Sequence, residues 1–192
     1  MKRFFVLALL LLIAACAGPP AQITERPGQG AVLPQAPVLR QAPVLGNVPP
    51  GTPLIADYLL VDKSERLLIA YRRGQPIRAY RGLQFGNAPD GHKRFEGDER
   101  TPEGLYTIDT RNPQSSYHLS LRISYPNAED RAFAARMGRS PGGDIFIHGQ
   151  PNTLPLGRMA GDWTDGCIAL SNAEVEELWQ LVPNGTPIEI RP

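Results

Sequence analysis

Cys167 and His148 carry the chemistry that this 192-residue chain offers most directly. A thiol and an imidazole brought together from separate elements make the usual protein nucleophile at neutral pH, the histidine taking the thiol proton. Ile145-Phe146-Ile147 is a short apolar run of the kind a buried strand uses, and His148 stands at its end, where Gly149 breaks the run. Cys167 follows Gly166 in a turn-rich segment that leads into a helix. On these two residues alone a second reading is equally open: a cysteine buried as a small hydrophobe and an unrelated histidine at a strand end.

The neighbouring residues separate the two readings. His148-Gly149, a spacer running to Trp163, and then Thr164-Asp165-Gly166-Cys167-Ile168-Ala169-Leu170-Ser171-Asn172 resemble the signature of the L,D-transpeptidase (YkuD-type) family. That signature is a His, a spacer of similar length, then Ser/Thr-His-Gly-Cys. Arg-Thr-Pro-Glu-Gly-Leu-Tyr-Thr-Ile at 100–108 resembles the family's Thr-Pro-x-Gly-x-Tyr/Phe turn and strand, and the likeness extends from about residue 54 to 190. It implies that His148 is the general base and Cys167 the acylated nucleophile. The sequence departs from the pattern twice: Asp165 stands where most members have a second His, and Ala169 replaces the usual Asn or Arg.

The resemblance implies peptidoglycan stem peptides as substrate. Cys167 would attack the carbonyl of the third, diamino-acid residue of a tetrapeptide stem, expel D-Ala, and pass the acyl group to an amine or to water. Transpeptidation, giving a cross-link or an attached protein, and L,D-carboxypeptidase or amidase action on stems or protein links therefore share one acyl-enzyme. From a different class, a catalytically silent peptidoglycan-binding lipoprotein is the third possibility, and the intact pair speaks against it. None of this chemistry calls for a metal or an organic cofactor.

Around the pair, Gly149, Thr164, Asp165 and Gly166 form the expected oxyanion and positioning set. Glycine permits close approach, so the backbone N–H groups near Gly166 and Cys167 are the natural oxyanion donors. Trp163, Tyr125 and His118 are the candidate substrate contacts. Asp165 has three open roles: repelling the thiolate, orienting His148 as the acid of a triad does, or shaping a Thr-Asp-Gly turn. A zinc site is disfavoured, because no pair among His92, His118, His148, Asp165 and Cys167 has close ligand spacing on one element. Papain-type and NlpC-type peptidases place Cys before His, the reverse of the order here. Sortases have the same order but need an Arg close to the site, and the only Arg after Cys167 is Arg191.

The chain that delivers this pair has three parts. Residues 1–15 read as a leader: Lys2 and Arg3 at the basic end, then an apolar stretch over 4–13 too short for a bilayer-spanning helix. Ile13-Ala14-Ala15-Cys16 resembles a bacterial lipoprotein box, with Cys16 lipidated; an ordinary secretory signal cleaved after Ala15 or Ala17 is the alternative. Ala17 rather than Asp at the next position resembles lipoproteins sent to an outer membrane, so the expected location is periplasm-facing and lipid-anchored. Lipid on Cys16 leaves one thiol in an oxidising compartment with no disulfide partner, which favours a catalytic role.

Residues 16–53 carry nine prolines and the echo Gln-Ala-Pro-Val-Leu at 35–39 and 41–45, the composition of an extended, partly stiff linker. At ~3.1 Å per residue in polyproline II it would reach on the order of 100 Å. Without Lys2 and Arg3 the chain has 18 basic against 19 acidic residues, a net charge of −1 with no basic block. Nucleic acid is therefore not an expected partner, and a monomer is expected.

Residues 54–192 form one domain in this reading. Strands are expected over 55–61, 67–71, 76–80, 105–110, 117–123 and 186–190, with a Gly-rich loop over 85–101 near or across the site. Strict alternation at 117–123 places Tyr117, Leu119, Leu121 and Ile123 on one face and His118, Ser120 and Arg122 on the other. Asn127 caps a helix over 128–137, and Ser171 with Glu174 forms a capping box for a second over 172–181. Many strands, two short helices and no βαβ alternation define a mainly β domain, a sandwich or flattened barrel of the L,D-transpeptidase catalytic type.

Overall fold

The computed structural model describes residues 54–192, Pro155 excepted; the leader, Cys16 and the proline-rich linker lie outside the described residues. Eight strands and two helices follow in the order β1 (Tyr58–Asp62), β2 (Leu67–Arg72), β3 (Gln75–Arg81), β4 (Gly104–Ser115), β5 (His118–Ile123), α1 (Ala128–Arg136), β6 (Phe146–His148), β7 (Ile168–Ala169), α2 (Asn172–Leu181) and β8 (Pro187–Arg191). The domain is mainly β with two helices, as the sequence implies.

Tight turns join the first three strands. Arg73 and Gly74 both have positive φ, 50° and 73°, the backbone of a two-residue type I′ hairpin whose twist matches that of its strands. The sheet is mixed, in the order β3-β2-β1-β8-β4-β5-β6-β7, with β1 parallel to β8 and β6 parallel to β7. Long β4 serves two ladders. Its first residues, Gly104 to Thr107, pair with β8, and from Ile108 onward it pairs with β5.

The two ends of this order meet. Gln84, just past β3, bridges Ala169 of β7, and Gly86 bridges Thr164. Gln84 and Ala169 exchange both backbone hydrogen bonds, at 3.1 and 2.8 Å, and Phe85 O accepts from Trp163 N and Thr164 N. The sheet is thus a flattened barrel closed by a strap at 84–86. Leu59, Val61, Leu68, Ile108, Leu121, Ile147, Ile168 and Ile188 fill it, none more than 1% exposed. Helix α2 seals the core with Val175, Leu178 and Leu181, spaced to lie along one stripe. Each such side chain contributes about 1.5–3 kcal/mol by leaving water.

Both helix caps fold as expected. Asn127 Oδ1 accepts from Glu129 N and Asp130 N, while Asp130 reaches back to Asn127 N. Ser171 and Glu174 do the same for α2. The boundaries differ more. β4 runs to Ser115 rather than 110, since its second half gains β5 as a partner, and the two-residue β7 intervenes between Cys167 and α2. Alternation at 117–123 also breaks at its start. Positive φ at His118, 67°, swings Tyr117 off the core face, so that it is 40% exposed while Leu121 and Ile123 are fully buried.

Gly86 tests the closure. A Cβ there would overlap Glu99 O and lie 2.8 Å from Thr164 O, both rigid backbone atoms. Gly86→Ala should therefore destabilise the domain by about 1–3 kcal/mol in urea unfolding. A midpoint equal to that of the parent would show that the strap does not close the barrel.

Candidate active site

Parallel pairing of β6 with β7 sets Ile147 against Ile168 and His148 against Ala169. Side chains alternate along a strand, so Ile147 and Ile168 point into the core, and the positions on either side of them face outward together. Phe146, His148 and the residue before Ile168, Cys167, thereby share one face. Ser120 of β5, in register with His148, joins them. They line a cleft of about 470 Å³ whose far wall comes from the β4–β5 turn: Asn112, Gln114, Ser115, Ser116 and Tyr117.

A backbone carbonyl fixes the histidine. His148 Nδ1 lies 2.7 Å from Gly149 O, which can only accept, so Nδ1 carries the proton and Nε2 is the basic nitrogen. The residue is only 3% exposed, its ring tilted over that of Tyr117 at 4.7 Å and meeting that of Trp163 edge-on at 5.6 Å. Burial holds its pKa below the usual 6.5, partly offset by the Gly149 hydrogen bond.

Cys167 is a free, half-buried thiol. Phe146 N donates to its Sγ at 3.4 Å, and Sγ lies 3.5 Å from Asp144 O. Desolvation pushes its pKa from the ordinary 9.0 up to about 11. The Phe146 N–H and the Lys93 charge work against that rise, while the Asp165 and Asp144 charges add to it. At neutral pH the resting pair is thus thiol and neutral imidazole, not a preformed thiolate–imidazolium.

Closely placed backbone holds the turn that presents the thiol. Gly166 has φ 116°, and a Cβ would overlap Arg100 O, so no other residue fits there. Thr101 Oγ1 donates to Gly166 O at 2.9 Å, which ties the end of the 85–101 loop to the turn. Thr164 Oγ1 donates to Cys167 O at 2.8 Å and accepts from Gly166 N at 3.3 Å. Thr164 and Gly166 therefore shape the turn itself.

The remaining expected residues divide. Trp163 lines the cleft and packs on His148, and Gly149 acts through its carbonyl. Asp165 is exposed on the cleft wall. The orienting position that a triad acid would take at Nδ1 is filled by Gly149 O, and the Asp165 charge instead opposes thiolate formation. His118, expected among substrate contacts, turns toward α2, its Nε2 lying 2.6 Å from Glu176 Oε1. Tyr125 is 5% exposed in the core, its hydroxyl donating to Pro141 O, because position 125 continues the buried face of β5.

The structure adds Tyr117, Ser120 and the Asp144 carbonyl, which pattern reading did not single out. The polar run Gln114-Ser115-Ser116 carries no local sign that it walls a cleft.

Residues 56–190 match the YkuD family, the L,D-transpeptidase catalytic domain, and the chain belongs to that family. It is 28% identical over 131 residues to the putative L,D-transpeptidase YafK of Escherichia coli, covering 65% of this chain and 46% of that protein. Two structures of the helical cell shape determining protein Pgp2 from Campylobacter jejuni are also similar. A mutant form is 28% identical with a TM-score of 0.58, covering 70% of this chain and 46% of its own; the other is 27% identical with a TM-score of 0.56, covering 73% and 51%. The chain thus spans about half the length of these relatives.

The site's electrostatics can be read by alkylation. The rate of iodoacetamide modification of Cys167 should rise with pH toward a midpoint near 11. Asp165→Asn removes a charge that disfavours the thiolate, so that midpoint should move to lower pH. An unmoved midpoint would reduce Asp165 to a turn residue.

Proposed function

We propose that the protein is a cysteine acyltransferase acting on peptidoglycan stem peptides. The observation that carries this reading is the neutral, carbonyl-oriented His148 sharing one sheet face and one cleft with Cys167. As Sγ attacks the stem carbonyl after the third-position diamino acid, His148 Nε2 takes its proton. The new S–C bond gives a tetrahedral oxyanion, met by backbone N–H groups around Gly166 and Cys167. On collapse the peptide C–N bond breaks and the imidazolium returns the proton to the leaving D-Ala amine. The thioester then passes to an incoming amine, His148 accepting the amine proton, and the thiol is regenerated.

A resting thiol suits this sequence. Burial depresses the histidine and raises the cysteine, so the proton moves only as the carbonyl is attacked. The family membership and the similarity to a putative L,D-transpeptidase and to a cell shape determining protein support the substrate class. The acceptor decides between a cross-link, an attached protein and, with water, carboxypeptidase action.

Cys167→Ala should abolish turnover of purified muropeptides while the protein keeps its melting temperature. Mass spectrometry of wild-type products should show loss of D-Ala together with dimers. Substantial activity retained by Cys167→Ala would refute the thioester route.

We further propose a leader over residues 1–15, a lipid on Cys16 and a linker to residue 53 that lets the domain reach the wall from an outer membrane. Acyl chains contribute ~0.8 kcal/mol per buried methylene, enough for a firm anchor when several are attached. A Cys16→Ala precursor should lose palmitate labelling and become soluble or stay uncleaved. Labelling equal to that of the parent would refute the anchor.

A further inference from the structure

Three arginines stand together on an aromatic platform beside the cleft. The Phe95 and Phe133 rings lie 5.9 Å apart. The Arg139 guanidinium sits 3.8 Å from the Phe95 centroid, and those of Arg94 and Arg136 lie 4.5 and 5.7 Å from that of Phe133. All three are exposed. Among the described residues Arg94, Arg136 and Arg139 form no ion pair, in contrast to Arg66, Arg78, Arg122, Arg158 and Arg191. The exposed Glu96, whose N donates to Ser140 O, makes no ion pair with these arginines among the described residues, and two neighbouring aspartates are otherwise engaged. Asp98 accepts from Lys93 Nζ and from the Arg94, Phe95 and Arg100 backbone, and Asp130 from Tyr106 and Asn127 while lying 3.0 Å from His92 Nε2.

Stacking holds each guanidinium plane but does not neutralise it, and like charges side by side repel. Such a group is built to receive planar anions, since a guanidinium fork matches a carboxylate bidentately.

Its place relative to the cleft indicates which anion. From Arg139 the chain runs four residues to Gly143, which lines the cleft, and Asp144 O then meets the Cys167 thiol. At most ~3.6 Å per residue, the Arg139 backbone lies within about 14 Å of that rim. The cleft lining holds Asp144 and Asp165 but no lysine or arginine. Lys93, whose charge reaches the thiol, is buried and paired with Asp98, so a peptide carrying both amines and carboxylates finds carboxylates on the cleft lining and unpaired positive charge in the arginine cluster.

Building on the proposed function, we infer that Arg94, Arg136 and Arg139 form an extension of the cleft that binds the free carboxylates of the stem peptide flanking the attacked carbonyl. The cluster sets substrate affinity and register, and takes no part in bond making.

The test uses the full chain, wild type and R94Q/R136Q/R139Q, with a tetrapeptide muropeptide and with the same compound after its side carboxylates are amidated. The triple variant should raise KM for the native muropeptide about tenfold or more with kcat within about twofold. Amidation should raise the wild-type KM similarly and leave that of the variant unchanged. The corresponding triple lysine variant, which keeps charge but not the fork, should fall between the two. Should the triple glutamine variant fail to fold, Arg139→Gln alone should raise KM about threefold.

Normal wild-type turnover with an unchanged KM in the variant overturns this inference and leaves the proposed function standing. Loss of binding to phosphatidylglycerol vesicles with an unchanged KM likewise overturns it, making the surface a membrane contact. A wild-type protein that neither turns over nor binds either muropeptide overturns both.

Discussion

A parallel ladder of two residue pairs, Ile147 with Ile168 and His148 with Ala169, brings together an imidazole and a thiol that stand 19 positions apart in the chain. So short a ladder has little strength of its own, and the rest of the structure works to hold it. Gln84 clamps Ala169 from the far side, Gln150 Nε2 donates to Leu170 O, and Leu170 N donates to His148 O. Ile147 and Ile168 are fully buried, so slipping the register by one residue would expose both to water and turn the imidazole inward. The geometry of the site is thus fixed by the same burial that stabilises the barrel.

Two desolvation effects of opposite sense define the resting state. Burial makes the charged form costly for either group, which lowers the histidine and raises the cysteine. Packing by the Tyr117 and Trp163 rings keeps water from the imidazole, while the Gly149 carbonyl selects its tautomer without adding a full charge. A carboxylate at that position would favour imidazolium and pull the pair toward an ion pair. With the carbonyl instead, desolvation leaves the Cys167 thiol well above its ordinary pKa, and no full charge beside the ring offsets it.

The turn that presents Cys167 shows how close packing, not side-chain chemistry, can dictate a residue. Gly166 is required twice over, by its positive φ and by the Arg100 carbonyl lying where a side chain would begin. Thr101 and Thr164 complete the frame with one hydroxyl each. The Thr-Pro-x-Gly stretch at 101–104 does more than start β4, since its first residue braces the turn that carries Cys167.

Local signals in the sequence settled a good deal. Both helices with their caps, the hairpin at Arg73-Gly74 and the mainly β class were all legible, because each rests on period, turn chemistry or capping within a few residues. The tertiary structure alone decided the closure of the sheet through Gln84 and Gly86, the two ladders of β4, and the brief β7, because these depend on partners far along the chain. It also decided which polar residues face the thiol. Alternation put Tyr117 on the core side and His118 on the opposite face, but the left-handed backbone at 118 sets Tyr117 on the cleft wall and His118 against Glu176 of α2. Tyr125 looked available for a substrate until the core took its ring. Asp165 lies two positions before Cys167, yet a main-chain carbonyl, invisible to any pattern of side chains, occupies the position beside His148 Nδ1 that an orienting carboxylate would take.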